Sequence, residues 1–172
     1  MSIKPINIGV VGVGHLGIHH VKHYTTIPNV NLLGIYDPDV KRSNYVSKKY
    51  KTVAFQSLKK LIENVDALSI VTPTPNHYKT AKLCIENKKH VFIEKPITVN
   101  LEEANKLLDL SKNNSTIIQV GHIERLNPAL MALEPYYIDP KFIEIQRLAP
   151  YTVRGTDVPV VLDKMIHDID IL

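Results

Sequence analysis

Three glycines near the start of the chain have a spacing that suits the binding of a dinucleotide. The stretch 9–17 reads Gly-Val-Val-Gly-Val-Gly-His-Leu-Gly, and it follows a predicted strand and opens a predicted helix. Gly12 permits a tight turn, Gly14 lets the backbone approach a pyrophosphate, and Gly17 allows the helix to pack closely on the strand. Because the helix N-terminus then faces the diphosphate, this turn is the expected dinucleotide site.

An acidic residue completes this pattern. Asp37 ends the second predicted strand, twenty residues after Gly17. Its carboxylate can accept hydrogen bonds from both adenosine ribose hydroxyls and would repel a 2′-phosphate, so NAD is expected as the cofactor rather than NADP. Lys41 and Arg42 are close enough in sequence to weaken that preference. The alternative is a turn that only packs a helix on a strand, with Asp37 as an ordinary turn residue before Pro38.

Two charged residues follow another predicted strand. Glu94 and Lys95 come directly after the apolar run His90 to Ile93, and Pro96 stiffens the turn. Open α/β sheets bind ligands at the carboxyl ends of their parallel strands, so these charges stand where chemistry can take place. The alternative is that Lys95 is a solvated loop residue.

Near the end of the chain, Asp163 and His167 are four residues apart and would share one face of a helix. A neutral imidazole, with an ordinary pKa of about 6.5, is suited to accepting the proton of a hydroxyl group. An isolated Asp-x-x-x-His spacing more often belongs to a solvated face of a helix. The Glu94-Lys95-Pro96 turn upstream makes the catalytic interpretation the favoured one here. A metal site of His167, Asp163 and Asp168 is the other alternative, but no further ligand has suitable spacing and no metal is expected.

The elements that must position these residues alternate along the chain. Buried strands are predicted at Ile6 to Val11, Val30 to Tyr36, Ala67 to Val71, His90 to Ile93 and Thr116 to Val120. Helices are predicted at Ile18 to Ile27, Val40 to Lys49, Leu58 to Asn64, Tyr78 to Asn87 and Leu101 to Asn113, the last with Asn100 as its N-cap. Continuous apolar strands indicate a parallel sheet, so residues 1–122 are predicted to form an α/β, doubly wound Rossmann domain.

The pattern changes after Val120. A short helix from Asn127 to Glu134, a strand from Lys141 to Ala149 and a loop from Pro150 to Val161 are predicted there. We expect residues 123–172 to be an inter-domain segment and the truncated start of a second, α+β, substrate and catalytic domain, because so few residues cannot build a core. The apolar face of residues 142–148 is expected to associate with another chain or copy.

Composition narrows the classes of protein. Hydrophobic residues make up 44% of the 172, which excludes disorder as the default. The 21 basic residues outnumber the 17 acidic ones but are scattered rather than clustered, so the charge gives little support to a nucleic-acid partner. Cys84 is the single cysteine and suits a reducing compartment. With neither a signal peptide nor a membrane span in prospect, we expect a soluble, cytoplasmic protein without nucleic-acid or membrane partners.

Several of these segments together resemble a known family. The stretch 70–77, Ile-Val-Thr-Pro-Thr-Pro-Asn-His, followed after sixteen residues by Glu94-Lys95-Pro96, is similar to the Gfo/Idh/MocA family of sugar and inositol dehydrogenases. The resemblance continues through 121–128, Gly-His-Ile-Glu-Arg-Leu-Asn-Pro, and through 161–170, which resembles the family's Asp-x-x-x-His-x-x-Asp helix. It implies an NAD-dependent oxidoreductase acting on a small sugar substrate, with a second domain that closes the pocket and commonly forms the interface of a homo-oligomer.

The resemblance also implies roles for individual residues. His167 would be the general base, Lys95 would hold the substrate hydroxyl and stabilise negative charge on its oxygen, and Asp163 would orient either partner or join a proton relay. The expected cofactor-binding residues are Gly12, Gly14, His15, Leu16, Gly17, Asp37, Thr72, Pro73, Asn76, His77, Glu94 and Lys95. For His77 the alternative is a surface position on a helix. The histidines of the first helix are interpreted as partly exposed packing residues: His19, His20 and His23.

Two departures from the family pattern concern the substrate and a helix end. Arg154-Gly-Thr-Asp157-Val stands where many members have a glycine-rich run. Together with Gly-His-Ile-Glu-Arg and Asp-x-Met-Ile-His-Asp-Ile-Asp, it resembles the subgroup that oxidises UDP-N-acetylglucosamine at carbon 3. Lys88 replaces the family's glycine before His90, and Asn87 is expected to supply the left-handed helix end instead.

Two other functions stay open at this point. The chain could be a catalytically inactive NAD-binding module, or a dehydrogenase of inositol or of a free sugar. The resemblance implies that the residues which recognise the substrate lie mostly on the sheet of the second domain. This sequence therefore does not discriminate well among the candidate substrates.

Overall fold

A computed structural model describes residues 4–136, 138–148 and 158–172 of the chain. Within these ranges the strands are β1 (Ile6–Val11), β2 (Val30–Tyr36), β3 (Val53–Ala54), β4 (Ala67–Ile70), β5 (His90–Ile93) and β6 (Ile118–Val120). The α-helices are α1 (His15–Tyr24), α2 (Val40–Tyr50), α3 (Leu58–Asn64), α4 (His77–Glu86), α5 (Leu101–Asn114), α6 (Pro128–Met131) and α7 (Ile166–Ile171). Short 3₁₀ turns cover Thr74–Asn76 and Ile123–Leu126, and a π-helical turn covers Val161–Met165.

The strands form one parallel sheet in the order β3-β2-β1-β4-β5-β6. The strand order reverses between β1 and β4, so the connections leaving their carboxyl ends run in opposite directions and open a crevice at that edge. This confirms the predicted α/β Rossmann fold. It also places the glycine turn after β1 and the Lys95 turn after β5 at the same edge of the sheet.

Two apolar clusters hold the helices on the sheet. One packs α3, α4 and α5 against the strands through residues such as Leu61, Ile85 and Leu107, and the other packs α1 and α2 through Val21 and Val46. Among the described residues, none of the helices combines the length and the apolar composition needed to cross a bilayer.

Cys84 lies fully buried in the larger cluster, on the apolar face predicted for its helix. Burial raises the pKa of its thiol to about 12, because a thiolate would lose its hydration there. The side chain therefore packs as a small neutral apolar group.

The sequence analysis missed strand β3, because a two-residue strand carries no periodicity. Four of its predictions need correction. Residues 141–148 contain no strand, because they are exposed and pair with none of the described strands, and Ala149 lies outside the described residues. The predicted helix from 127 to 134 shortens to α6. The loop predicted from Pro150 to Val161 lies mostly outside the described residues, and Val161 already belongs to the π-helical turn.

The fourth correction concerns the end of α4. Lys88, and not Asn87, has the left-handed backbone, with φ of 58° against −91°. The Lys89 N–H donates to the Cys84 carbonyl oxygen, which closes a Schellman-type end. Because Asn87 still belongs to the last turn of the helix, the positive φ falls on the residue after it.

The N-cap of α5 provides a test of this local structure. The Asn100 Oδ1 accepts a hydrogen bond of 2.9 Å from the Glu103 N–H, as the sequence predicts. We expect Asn100→Ala to lower the free energy of unfolding by about 1 kcal/mol, because a first-turn amide loses its partner. Asn105→Ala, at an exposed position inside the same helix, is the control and should leave stability unchanged or slightly raised. Urea denaturation of the three proteins measures this, and equal losses for both variants would contradict the assignment.

Candidate functional site

The glycine turn after β1 is built so that side chains are excluded on one side and space is left on the other. Gly12 has a φ of 86°, and a Cβ there would lie 2.6 Å from the Val71 carbonyl oxygen. A Cβ on Gly17 would lie 2.0 Å from the Gly12 carbonyl oxygen, which ties α1 closely to the turn. A Cβ on Gly14 would meet no atom within 4 Å, so the backbone there borders open space. This is the shape that a diphosphate bound at a helix N-terminus requires.

The carboxylate of Asp37 fixes this turn from the end of β2. Its Oδ2 accepts a hydrogen bond of 2.8 Å from the Val13 N–H, and its Oδ1 accepts one of 2.9 Å from the Asp39 N–H. The Arg42 guanidinium lies 3.9 Å from Oδ2. Sequence reasoning assigned Asp37 to a ribose and missed its bond to the turn itself. Since each oxygen has two lone pairs, both roles are compatible.

A cavity of about 790 Å³ lies at the carboxyl ends of the strands and brings most of the predicted residues together. It is lined by Gly12, Gly14, His15, Leu16, Asp37, Pro38, Arg42, Val71, Thr72, Pro73, Thr74, Asn76, His77, Glu94, Lys95, Pro96, Val158 and Asp163. Of the expected cofactor contacts only Gly17 is not in this lining, because it is buried at the base of the turn. His167 is the one expected catalytic residue outside the lining.

His77 is only 1% exposed, so the alternative of a surface position is wrong. Its Nε2 lies 2.8 Å from the Thr72 carbonyl oxygen and its Nδ1 lies 2.9 Å from the Pro96 carbonyl oxygen. Both polar atoms of the ring are thus engaged by backbone on two sides of the cavity.

Lys95 and Asp163 meet across 68 residues of sequence. The Lys95 Nζ donates to the Asp163 carboxylate at 2.9 Å and to the Asp163 carbonyl oxygen at 2.5 Å. About a fifth of each side chain is exposed, so the pair is partly shielded from water. The contact brings the C-terminal segment to the turn after β5, as the catalytic hypothesis requires.

His167 lies one helical turn beyond Asp163. Its Nδ1 is buried and has no hydrogen-bond partner among the described residues. Burial, and next the positive charge of Lys95, lower the pKa of the imidazole, with smaller opposing and assisting effects from Glu124 and Arg147. His167 is therefore neutral down to a lower pH than an ordinary histidine, the state in which it can accept a proton.

Two arginines fix the helix that carries His167. Arg125 makes a two-point ion pair with Asp170, and Arg147 makes one with Asp168, the shortest contacts being 2.5 Å in both cases. Each arginine lowers the pKa of its partner carboxyl. Sequence reasoning quoted Arg125, Asp168 and Asp170 within motifs without pairing them, because an ion pair such as Arg125–Asp170, 45 residues apart, leaves no local pattern.

Glu94 turns away from Lys95 toward α1. Its carboxylate lies 3.1 Å from the His20 Nε2, and the His20 Nδ1 lies 2.9 Å from the Ser69 Oγ. His20 thus has polar partners as well as the packing role predicted for it, whereas His19 and His23 are exposed. Glu94 also borders a second cavity, of about 540 Å³, on the α1 side of the sheet.

The residues around the large cavity fit a dinucleotide. The open space at Gly14 leaves room for a ligand at the backbone, and the buried Thr72 Oγ1 has no hydrogen-bond partner within the described part of the chain. No group of three metal-ligating side chains occurs among the residues described.

Comparison with known proteins gives the same picture. The chain matches, over residues 6–122, the model of a family described as an oxidoreductase family with an NAD-binding Rossmann fold. The UDP-N-acetylglucosamine 3-dehydrogenase of Acidithiobacillus ferrooxidans is 38% identical over 164 residues, which cover 95% of this chain and 52% of that relative. The solved structure of the enzyme of that name from that organism aligns with a TM-score of 0.92 at 37% identity, over 98% of this chain and 56% of the other.

A second relative acts on a different class of substrate. The scyllo-inositol 2-dehydrogenase (NAD(+)) of Bacillus subtilis is 33% identical over 130 residues, which cover 72% of this chain and 37% of that protein. The chain spans about half the length, or less, of these curated relatives.

The charge of Lys95 acting on His167 can be measured directly. In an NMR titration we expect the pKa of His167 to lie below the ordinary 6.5, because burial and Lys95 both disfavour the imidazolium. Lys95→Met removes one of these causes and should raise the pKa of His167. Lys164→Met, which removes a lysine next to Asp163 in sequence, is the control and should leave that pKa unchanged. A fall, or no change, in the Lys95 variant would contradict the arrangement.

Proposed function

Since the chain belongs to the Gfo/Idh/MocA family of oxidoreductases with an NAD-binding Rossmann fold, we propose that it serves the NAD-dependent oxidation of a secondary hydroxyl, at carbon 3 of UDP-N-acetylglucosamine. The observation that carries this proposal is the Lys95–Asp163 pair, which lines the same cavity as the glycine turn and Asp37. Such an oxidation needs a positive charge beside the substrate oxygen and a turn that can hold a dinucleotide, and residues suited to both roles line this one cavity.

The cofactor would be held by the residues that border this cavity. The amides of the turn around Gly14 would receive the diphosphate, and Asp37 would accept hydrogen bonds from the adenosine ribose. Thr72 and Pro73 lie on the other side of the crevice, after β4, where the unpartnered Thr72 Oγ1 offers a further polar contact. When bound, the nicotinamide supplies the acceptor for the hydride that leaves the substrate carbon.

The proton of the substrate hydroxyl would go to His167. Its lowered pKa favours the neutral imidazole near physiological pH, so charge does not prevent the ring from acting as a base. Because the base lies one turn beyond Asp163, the hydroxyl would be placed between His167 and Lys95.

Lys95 would stabilise the oxygen from which that proton leaves. An ammonium group has three N–H donors, and contacts to Asp163 occupy two of them. The third remains for the substrate oxygen, where negative charge develops. Asp163 is then a positioning residue, since it holds the ammonium and balances its charge.

The substrate rests on similarity to named relatives. The 38% identical relative is a UDP-N-acetylglucosamine 3-dehydrogenase, which supports a sugar nucleotide as the first candidate. The second candidate, an inositol, is supported by the scyllo-inositol 2-dehydrogenase that is 33% identical over a shorter stretch. Both chemistries remove hydrogen from a ring carbon that bears a hydroxyl, so the same three side chains would serve either.

Turnover separates these candidates. With NAD present, we expect UDP-N-acetylglucosamine to give NADH and a product two hydrogens lighter, detected by fluorescence and mass spectrometry, and scyllo-inositol to give little. Lys95→Met should lower the rate by about 10²-fold or more, because a group that acts on the transferring proton or its oxygen contributes that much. Lys164→Met is the matched control.

Two outcomes would contradict the proposal in different ways. Faster oxidation of scyllo-inositol would move the assignment to the second candidate. Binding of NAD with oxidation of neither compound would replace the proposal by that of an NAD-binding module.

The preference for NAD over NADP depends on Asp37. A unit charge about 4 Å from a phosphate costs on the order of 4 kcal/mol at the effective dielectric of a protein surface. We expect Asp37→Asn to lower the ratio of the dissociation constants for NADP and NAD at least about tenfold, since the variant lacks the charge that would repel the 2′-phosphate, while the Arg42 guanidinium stays nearby in its ion pair with Asp39.

Calorimetry measures both constants. Asp109→Asn, which makes the same charge change on the exposed face of α5, should leave the ratio unchanged. An equal change in both variants, or a ratio that rises in Asp37→Asn, would remove Asp37 from the specificity site.

A further inference from the structure

We propose that His77 is a positioning residue whose two ring nitrogens contact the backbone on both sides of the cavity and thereby fix the turn carrying Lys95 against the turn at Thr72. The proposal rests on the proposed function, because it assigns a role within the same cavity. It differs from the sequence prediction, which placed His77 among direct cofactor contacts.

The imidazole ring of His77 lies between two backbone carbonyl groups. Both nitrogens of this buried side chain face carbonyl oxygens, with Nε2 at 2.8 Å from Thr72 O and Nδ1 at 2.9 Å from Pro96 O. A carbonyl oxygen only accepts hydrogen bonds, so a ring N–H supplies the donor. The ring therefore packs tightly between the two turns and holds them at a fixed separation.

The two acceptors belong to different parts of the fold. Thr72 follows β4 and Pro96 follows β5, and these strands are neighbours in the sheet. The last ladder contact at this edge joins the Glu94 N–H to the Ile70 carbonyl oxygen at 3.1 Å, so the turns beyond it need a side-chain contact to fix their separation. His77, the first residue of α4, lies between them and bonds to both.

This contact determines where Lys95 stands. Pro96 is the residue after Lys95, and the Thr72 turn forms the opposite side of the cavity. A shift of the Pro96 carbonyl would move the Lys95 backbone, and with it the ammonium that Asp163 holds. A displacement of about 1 Å in a catalytic group can cost two orders of magnitude in rate, so a rigid connection here has a functional consequence.

The first test needs no cofactor. We expect long-range proton–nitrogen NMR spectra of the isotope-labelled chain to show a ring N–H of His77 that is protected from exchange with water, because the ring is buried against carbonyl oxygens. A ring N–H that exchanges as fast as that of the exposed His19 would overturn the proposal. Because the spectrum is recorded without NAD, its outcome does not depend on the proposed function.

The second test uses variants of the same chain. His77→Phe keeps a ring without donors, and we expect NAD binding to weaken about tenfold while the amide signals of Lys95 and Ile97 shift. His77→Gln retains one donor group and should recover part of the affinity. Cys84→Ala, at a fully buried site on the same helix, is the control, since it lowers stability without touching either turn.

The results separate the two levels of inference. A folded His77→Phe protein with unchanged NAD affinity and unchanged Lys95 signals would overturn the role of His77. If Cys84→Ala weakened NAD binding as much at a similar loss of Tm, the effect would be one of stability alone. Failure of the unmodified chain to bind NAD would instead contradict the proposed function, while the NMR result on His77 would stand.

Discussion

The structure depends on a steric constraint between the start of α1 and the end of β4. No side chain fits at Gly12 or Gly17, where an added Cβ would come within 2.6 Å and 2.0 Å of carbonyl oxygens. Only with bare backbone at both positions can α1 begin directly after β1 and point its free amides into the crevice of the sheet. Asp37 then holds the turn through the Val13 amide, so the acidic residue and the glycines form one unit.

The second organising interaction joins parts of the chain that are far apart in sequence. The contact between Lys95 and Asp163 brings the C-terminal segment over the cavity, and the ion pairs of Arg125 and Arg147 with α7 keep that segment in register. Exposed ion pairs contribute little to stability individually, so their part here is to fix orientation. Family membership explains why such a segment accompanies the Rossmann fold: in the 38% identical relative the match continues over 95% of this chain.

Sequence reasoning recovers what short-range patterns encode. Strands such as Ile6–Val11 and Val30–Tyr36 have the predicted bounds because apolar periodicity and glycine spacing are local signals. It fails where the determinant is a distant partner. Residues 141–148 are strand-like in composition but pair with none of the described strands, and the contacts of the buried His77 are to two carbonyl groups from other segments. Most of the predicted site lines one cavity, whereas the pairing of Arg125 with Asp170 leaves no trace in either local sequence.

The Glu94 side chain separates two cavities. It borders the cavity of about 790 Å³ at the carboxyl ends of the strands and the cavity of about 540 Å³ on the α1 side of the sheet. Gly121 lies directly against this side chain, since a Cβ at Gly121 would lie 2.9 Å from the Glu94 carboxylate. A substitution at Gly121 would thus displace the Glu94 carboxylate, which also borders the large cavity. The contact differs from those at Gly12 and Gly17, where the added atom would meet backbone, because the Glu94 side chain can move away from a substituted Gly121.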